Sequence, residues 1–90
     1  MANHPSALKR HRQSLKRREA HRSRKSRIHT LVRAVDTAIG AGDQDAAAAG
    51  CRDASRALAK AASKGTLHKK TAARRASRLA RRVAKASATD

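Results

Sequence analysis

The side chains in this sequence that can do chemistry are overwhelmingly cations. Its 90 residues include 23 Lys and Arg, six Asp and Glu and five His, for a formal net charge of +17. Arg74, Arg78 and Arg82 recur every four residues, which makes one ridge on a helix, and Arg75 and Arg81 broaden it. Just ahead of them, His68, Lys69, Lys70 and Thr71 lie where that helix begins. Unpaired N–H groups and the positive end of the helix dipole favour an anion there. Far upstream, Lys9, Arg10, Arg12, Lys16, Arg17, Arg18, Arg22, Arg24, Lys25 and Arg27 fall at every angle around a helix axis. The chemistry these groups offer is charge-assisted hydrogen bonding to phosphate oxygens, which Arg performs with two parallel N–H donors. A solvated helix face shows one basic stripe. A helix basic on all sides suits insertion among several phosphate backbones; the same residues also read as a basic tail without fixed structure. Both readings bind nucleic acid.

Other chemistries find no residues. No Ser-His-Asp set, glycine-rich phosphate loop or carboxylate pair is present, and Asp43 and Asp45 fit the negative charge expected at a helix start. The chain is therefore expected not to be an enzyme, and to have neither cofactor nor small-molecule substrate. The histidines show no i, i+4 pair and the single Cys51 is far from all of them, so no metal site is expected. Cys51 alone gives no internal disulfide and reads as a small core residue. With no Phe, Tyr or Trp, base stacking on aromatic rings is excluded. The stretch Lys9–Arg27 has Leu15 as its one large apolar residue, unlike a membrane-surface helix. The opening MANHPSALKRHRQ lacks the apolar core of a secretory signal. A charged polymer in the cytoplasm is the partner these features favour.

The elements that must position the cations are helical. Residues 1–35 hold 11 Lys and Arg against Glu19 alone, residues 36–63 are near neutral, and residues 64–90 hold nine Lys and Arg against Asp90. In the middle, Ile28, Leu31, Val32, Val35 and Ile39 form an apolar helical stripe. Gly40 and Gly42 end it, and Asp43 is suited to cap the next helix. Cys51, Ala54, Leu58, Ala61 and Ala62 make a second stripe that Gly65 closes. Ala72, Ala76, Leu79, Ala80 and Val83 make a third, with Thr66 and Thr71 both suited to cap it. The expectation is an all-α single domain, a three-helix bundle with a long, protruding basic first helix. Its helices span about 5–40, 44–63 and 67–86. Asn3 or His4 would cap the first, with Pro5 in its first turn. That helix outruns the second, so the stretch Lys9–Arg27 overhangs, with only Leu8 and Leu15 to anchor it. Like charges crowd its i, i+3 and i+4 neighbours, so residues 6–27 are expected to be largely unordered without a partner. Alanine fills most inward positions, which predicts a marginal core.

These residues also resemble a known family. The opening Ala2-Asn3-His4, Ser6-Ala7 and Lys9-Arg10, the stretch Arg22-Ser23-Arg24-Lys25-Ser26-Arg27, and Leu31-Val32 form one part of the likeness. Ala61-Ala62-Ser63-Lys64-Gly65, His68-Lys69, Thr71-Ala72-Ala73-Arg74 and Ser77-Arg78-Leu79-Ala80 form the other. Together they are similar to protein twenty of the bacterial small ribosomal subunit, over nearly the whole chain. Pro5 stands where that family usually has Lys, and Lys70 where Asn is usual. The resemblance implies a three-helix bundle bound to small-subunit ribosomal RNA, joining the subunit early, near its base, and meeting other small-subunit proteins only peripherally. On that basis the RNA-binding residues are the cations already named, with His68 and Thr71 and with Asn3 and His4 of the opening motif. The readings it competes with are a nucleoid-type protein that compacts DNA and a membrane-active cationic peptide.

Overall fold

The computed structural model describes residues 5–88 and forms three helices: α1 (Pro5–Gly40), α2 (Gln44–Ser63) and α3 (Lys69–Ala88). No strand occurs among the described residues. The fold is all-α, with a long first helix as the sequence predicts. Pro5 sits in the first position of α1, where its missing N–H is no loss, and no Gly or Pro follows until Gly40. The 36 residues of α1 make a rod of roughly 54 Å at about 1.5 Å per residue. The cap expected from Asn3 or His4 lies outside the described residues.

The two helix ends that turn the chain are built alike. Gly42 and Gly65 take φ values of +75° and +77°, a region that side-chain-bearing residues avoid. Asp43 N–H then reaches the Ala38 carbonyl at 3.0 Å, and Gly42 N–H the Ile39 carbonyl at 3.1 Å. After α2, Thr66 N–H reaches Ala61 at 2.8 Å and Gly65 N–H reaches Ala62 at 3.1 Å. Each pair of bonds satisfies carbonyls that a helix end leaves open. Asp43 also starts α2, its carboxylate accepting from Ala46 N–H at 3.0 Å.

The start of α3 differs from expectation. Neither Thr66 nor Thr71 caps it, and the helix runs 69–88, shifted two residues toward the C-terminus from 67–86. His68 is the cap: its Nδ1 accepts from Lys70 N–H at 3.1 Å, and its carbonyl accepts from Ala72 N–H at 3.0 Å. Thr66 is not available because its hydroxyl bonds to α1. Thr71 falls inside the first turn.

α2 packs along both α1 and α3, which touch each other little. One half of the core joins Ile28, Leu58, Ala61 and Ala72, with Val32 and Leu67 against it. The other joins Val35, Ala54 and Leu79, with Leu31, Ile39, Cys51 and Val83 around them. Two expectations fail at alanines. Ala80 is exposed on the edge of the α3 stripe, while Ala47, outside the predicted stripe, is 2% exposed. Four of the eight buried residues are Ala, so the core removes little apolar area from water and contributes correspondingly little stability.

Close approach compensates for small side chains. A Cβ at Gly50 would stand 2.9 Å from Val35 Cγ2. Val35 is fully buried, and a β-branched side chain in a helix has one favoured rotamer, so it cannot swing aside. Gly→Ala inside a helix ordinarily stabilises by up to about 1 kcal/mol, whereas overpacking a core costs about 1–3 kcal/mol. We therefore expect Gly50→Ala to lower stability by roughly 1 kcal/mol. In a Val35→Ala background the same change should raise it. Thermal melts followed by circular dichroism measure both; a stabilising Gly50→Ala in the unaltered chain contradicts the packing account.

Candidate nucleic-acid interface

Every residue from Pro5 to Glu19 is exposed, and burial begins at Ala20 and His21. The overhang is therefore residues 5–19, not Lys9–Arg27. Lys9, Arg10, Arg12, Lys16, Arg17 and Arg18 stand on it, while Arg22, Arg24, Lys25 and Arg27 lie alongside the bundle. Leu8 and Leu15 do not anchor it, each being 47% exposed. At about 100° per residue, they lie roughly half a turn from the face that carries Ile28 and Val35 into the core.

A hydrogen-bonded clamp explains where the overhang begins. His21 Nδ1 lies 2.7 Å from Thr66 Oγ1, and an Arg24 Nη1 N–H donates to the same oxygen at 3.1 Å. Arg24 Nη1 is also 3.4 Å from His21 Nδ1. The Thr66 oxygen has two lone pairs and one proton, so it can serve both side chains at once. The three side chains are half-buried and tie α1 to the α2–α3 turn. Arg24 thus holds the protein's own structure as well as carrying charge, which sets it apart from the free cations around it.

On α3, Arg74, Arg75, Arg78, Arg81 and Arg82 are all exposed. Arg82 departs from the expected ridge because its guanidinium pairs with Asp36 of α1. By helical spacing the outward stripe opposite Ala72 and Leu79 is Lys70, Arg74, Arg78, Arg81 and Lys85, so Lys85 belongs with the candidates. Lys69 and Lys70 occupy the first turn of α3, which has no acidic residue to offset the helix dipole, and His68 and half-buried Thr71 flank them. Between α1 and α3 runs a groove of about 300 Å³, walled by Lys25 and His29 on one side and by Arg75, Arg78 and Arg82 on the other. His29 was not among the sequence candidates. Its place on the wall follows from two helices far apart in sequence meeting side by side, and no local pattern records that. Asn3 and His4 lie outside the described residues.

Charge is divided along the molecule. Asp36, Asp43 and Asp45 gather at the α1–α2 turn, at the opposite end from the cationic overhang. Among the described residues no cluster of His, Cys, Asp and Glu could hold a metal, and no helix is long and apolar enough to cross a membrane.

Comparison with known proteins places this arrangement. Residues 2–84 match the family model described as Ribosomal protein S20. The chain belongs to the ribosomal protein S20 family. The small ribosomal subunit protein bS20 of Dinoroseobacter shibae is 49% identical to it over 88 residues, covering 98% of this chain and all of that protein. Proteins of the same name from Nitratidesulfovibrio vulgaris and Paramagnetospirillum magneticum are each 51% identical over 83 residues, covering 92% of this chain and 95% and 92% of their own. The S20 match spans overhang and bundle together.

In this S20-family chain the clamp fixes the long helix to the turn, and its key atom is one hydroxyl. Thr66→Val keeps the shape and removes that oxygen, leaving Arg24 and His21 without their shared partner. The loss of such a bond costs about 1 kcal/mol. We expect faster amide hydrogen exchange at Ala20–Arg24 in Thr66→Val, with the Leu58 and Ala61 amides accelerated less or not at all. Unchanged exchange at Ala20–Arg24 would show that the clamp does not hold α1.

Proposed function

We propose that this chain is a structural, non-enzymatic constituent of the small ribosomal subunit. It binds small-subunit ribosomal RNA through phosphate contacts, supports assembly of the subunit and works in the cytoplasm as part of the ribosome. The observation that carries this reading is the layout of charge: an overhang with cations on all its sides and Glu19 as its one carboxylate, a basic α3 stripe, and Asp36, Asp43 and Asp45 gathered at the far end. The membership of the S20 family supports it. An overhang charged all round can touch backbones on several sides at once, so it suits a junction of RNA helices better than a single duplex. A-form grooves give side chains little access to sequence, so shape and phosphate position carry the recognition. Other small-subunit proteins touch the chain only at its periphery in this reading.

Each neutralised phosphate releases counterions, so affinity should fall steeply with salt. About ten contacts give a log–log slope of roughly −7 to −9. Arg74→Gln or Arg78→Gln should weaken binding and flatten that slope by about one unit each. Filter binding to small-subunit ribosomal RNA across a salt series measures this, and a slope shallower than about −3 means few of these cations meet phosphate. Co-sedimentation with ribosomal particles at moderate salt separates this reading from a DNA-compacting role, in which the protein would leave the particles and follow the nucleoid.

The overhang gives a further test. No side chain of residues 5–19 is buried, and Lys9 with Arg12, Arg12 with Lys16, and Arg18 with Arg22 place like charges at i+3 or i+4, which disfavours helix. We expect the overhang to be helical on RNA and unordered without it, its ordering drawn from the phosphate contacts. The clamp moves the boundary from residue 27 to about residue 19. Amide exchange on the free protein should be fast at 6–19 and slow from Ile28 onward. Strong protection at Lys16–Arg18 would reveal a preformed rod.

A further inference from the structure

The groove between α1 and α3 differs from the basic hollow nearer the start of α1. There Arg17, Arg18 and Arg22 stand with Ser14 and His21 and no apolar side chain. Here the cations rim a floor where half-buried Val32 faces the groove, with the buried Ile28, Leu58 and Leu79 beneath it. A bare phosphate needs no such floor, and a duplex cannot enter a cleft of about 300 Å³, a volume at the small end of small-molecule sites, which begin near ~300 Å³. The groove is also polar along its length. α1 and α3 run side by side, so Lys25 and Arg75 stand at one end, while the Asp36–Arg82 ion pair stands at the other. The first end attracts a phosphate. At the second, the carboxylate of Asp36 repels one, but the ion pair offers hydrogen-bond donors and acceptors together.

An amphipathic ligand with an anion at one end, a flat apolar body and a hydrogen-bonding edge at the other matches this order. We propose that the groove takes a single unpaired nucleotide of the bound RNA, with its phosphate between Lys25 and Arg75 and its base over the Ile28–Val32–Leu79 floor. The inference rests on the RNA-binding reading above. Sequence-selective RNA recognition uses bases splayed out of loops and bulges, held between apolar or guanidinium surfaces. This chain has no aromatic ring for that purpose. The aliphatic floor supplies the lower surface, and the Arg78 guanidinium at the rim supplies a planar upper one. His29, on the α1 wall, is placed to meet a base edge. The groove thereby adds a base contact to a surface otherwise given to backbone, and makes RNA with a bulge the better ligand.

The test uses the full chain and two RNA hairpins at one salt concentration, one fully paired and one with a single-nucleotide bulge. A third hairpin carries an abasic bulge. Fluorescence anisotropy gives the affinities, and methyl NMR follows Ile28, Val32 and Leu79. The bulged hairpin should bind about tenfold more tightly than the other two, and only it should shift the three methyl resonances strongly. Arg75→Gln, on the groove wall, should abolish the preference. Arg74→Gln, on the outward stripe, should weaken all three hairpins equally and keep it. Equal affinity for the bulged and abasic hairpins, or a preference that survives Arg75→Gln, overturns the nucleotide site while leaving phosphate binding intact. If none of the hairpins binds, the RNA-binding reading itself fails and the site with it.

Discussion

Mutual repulsion among like charges is the force every part of this structure has to accommodate. A formal charge of +17 on 90 residues opposes compaction, and a core in which half of the buried residues are Ala supplies little to oppose it. The fold responds by separating tasks. Ile28, Val35, Ala54, Leu58, Ala61, Ala72 and Leu79 close one small core in the middle of the molecule. The cations are spread over a rod and an outer face, where their spacing is greatest. Surface ion pairing does little to relieve the strain: the Asp36–Arg82 pair is half exposed, and such pairs contribute about 0–1 kcal/mol. Relief comes instead from a partner that carries the opposite charge, which is why stability and function are hard to separate in this chain.

That division explains why the three helices are so unlike one another. α3 has an apolar face and a cationic face opposite it, the pattern of a helix lying between a core and a polyanion. α2 touches both other helices, and it holds few cations and the glycine that lets Val35 come close. α1 changes character along its length, from a rod surrounded by charge to a core helix. The clamp of His21, Arg24 and Thr66 marks the change. Function follows from this gradient, because the end without a core is the end free to reach away from the protein.

The order and identity of the helices were legible because their signals are local. The stripe from Ile28 to Ile39, the glycines at 42 and 65, and the carboxylate of Asp43 each act within a few residues. What escaped the sequence is long-range or chemically ambiguous. His68 caps α3 because Thr66 is drawn away by side chains 45 and 42 residues distant. Alanine fits inside or outside equally well, so Ala47 and Ala80 exchanged places. Gly50 lies in an alanine-rich run, and nothing near it in sequence records that Val35 packs against it. The candidate contact residues were visible as a class, since phosphate recognition needs little more than cations. Their division was not: Arg24 turned inward, Arg82 turned to Asp36, and His29 and Lys85 entered the candidate set only when the helices were side by side.

The long overhang is a lever, with its fulcrum at the clamp. Fifteen residues of helix extend about 22 Å, so a tilt of ten degrees at the base carries the tip through about 4 Å. That distance exceeds the reach of any one hydrogen bond. The registration of Lys9 and Arg10 is therefore decided by the angle at which His21 and Arg24 meet Thr66, and a small slackening near the core is magnified into a gross misalignment at the far end. The same leverage acts in reverse: torque applied to the tip arrives at the turn between α2 and α3 with its force multiplied, so seating the rod can tighten or strain the body to which it is attached.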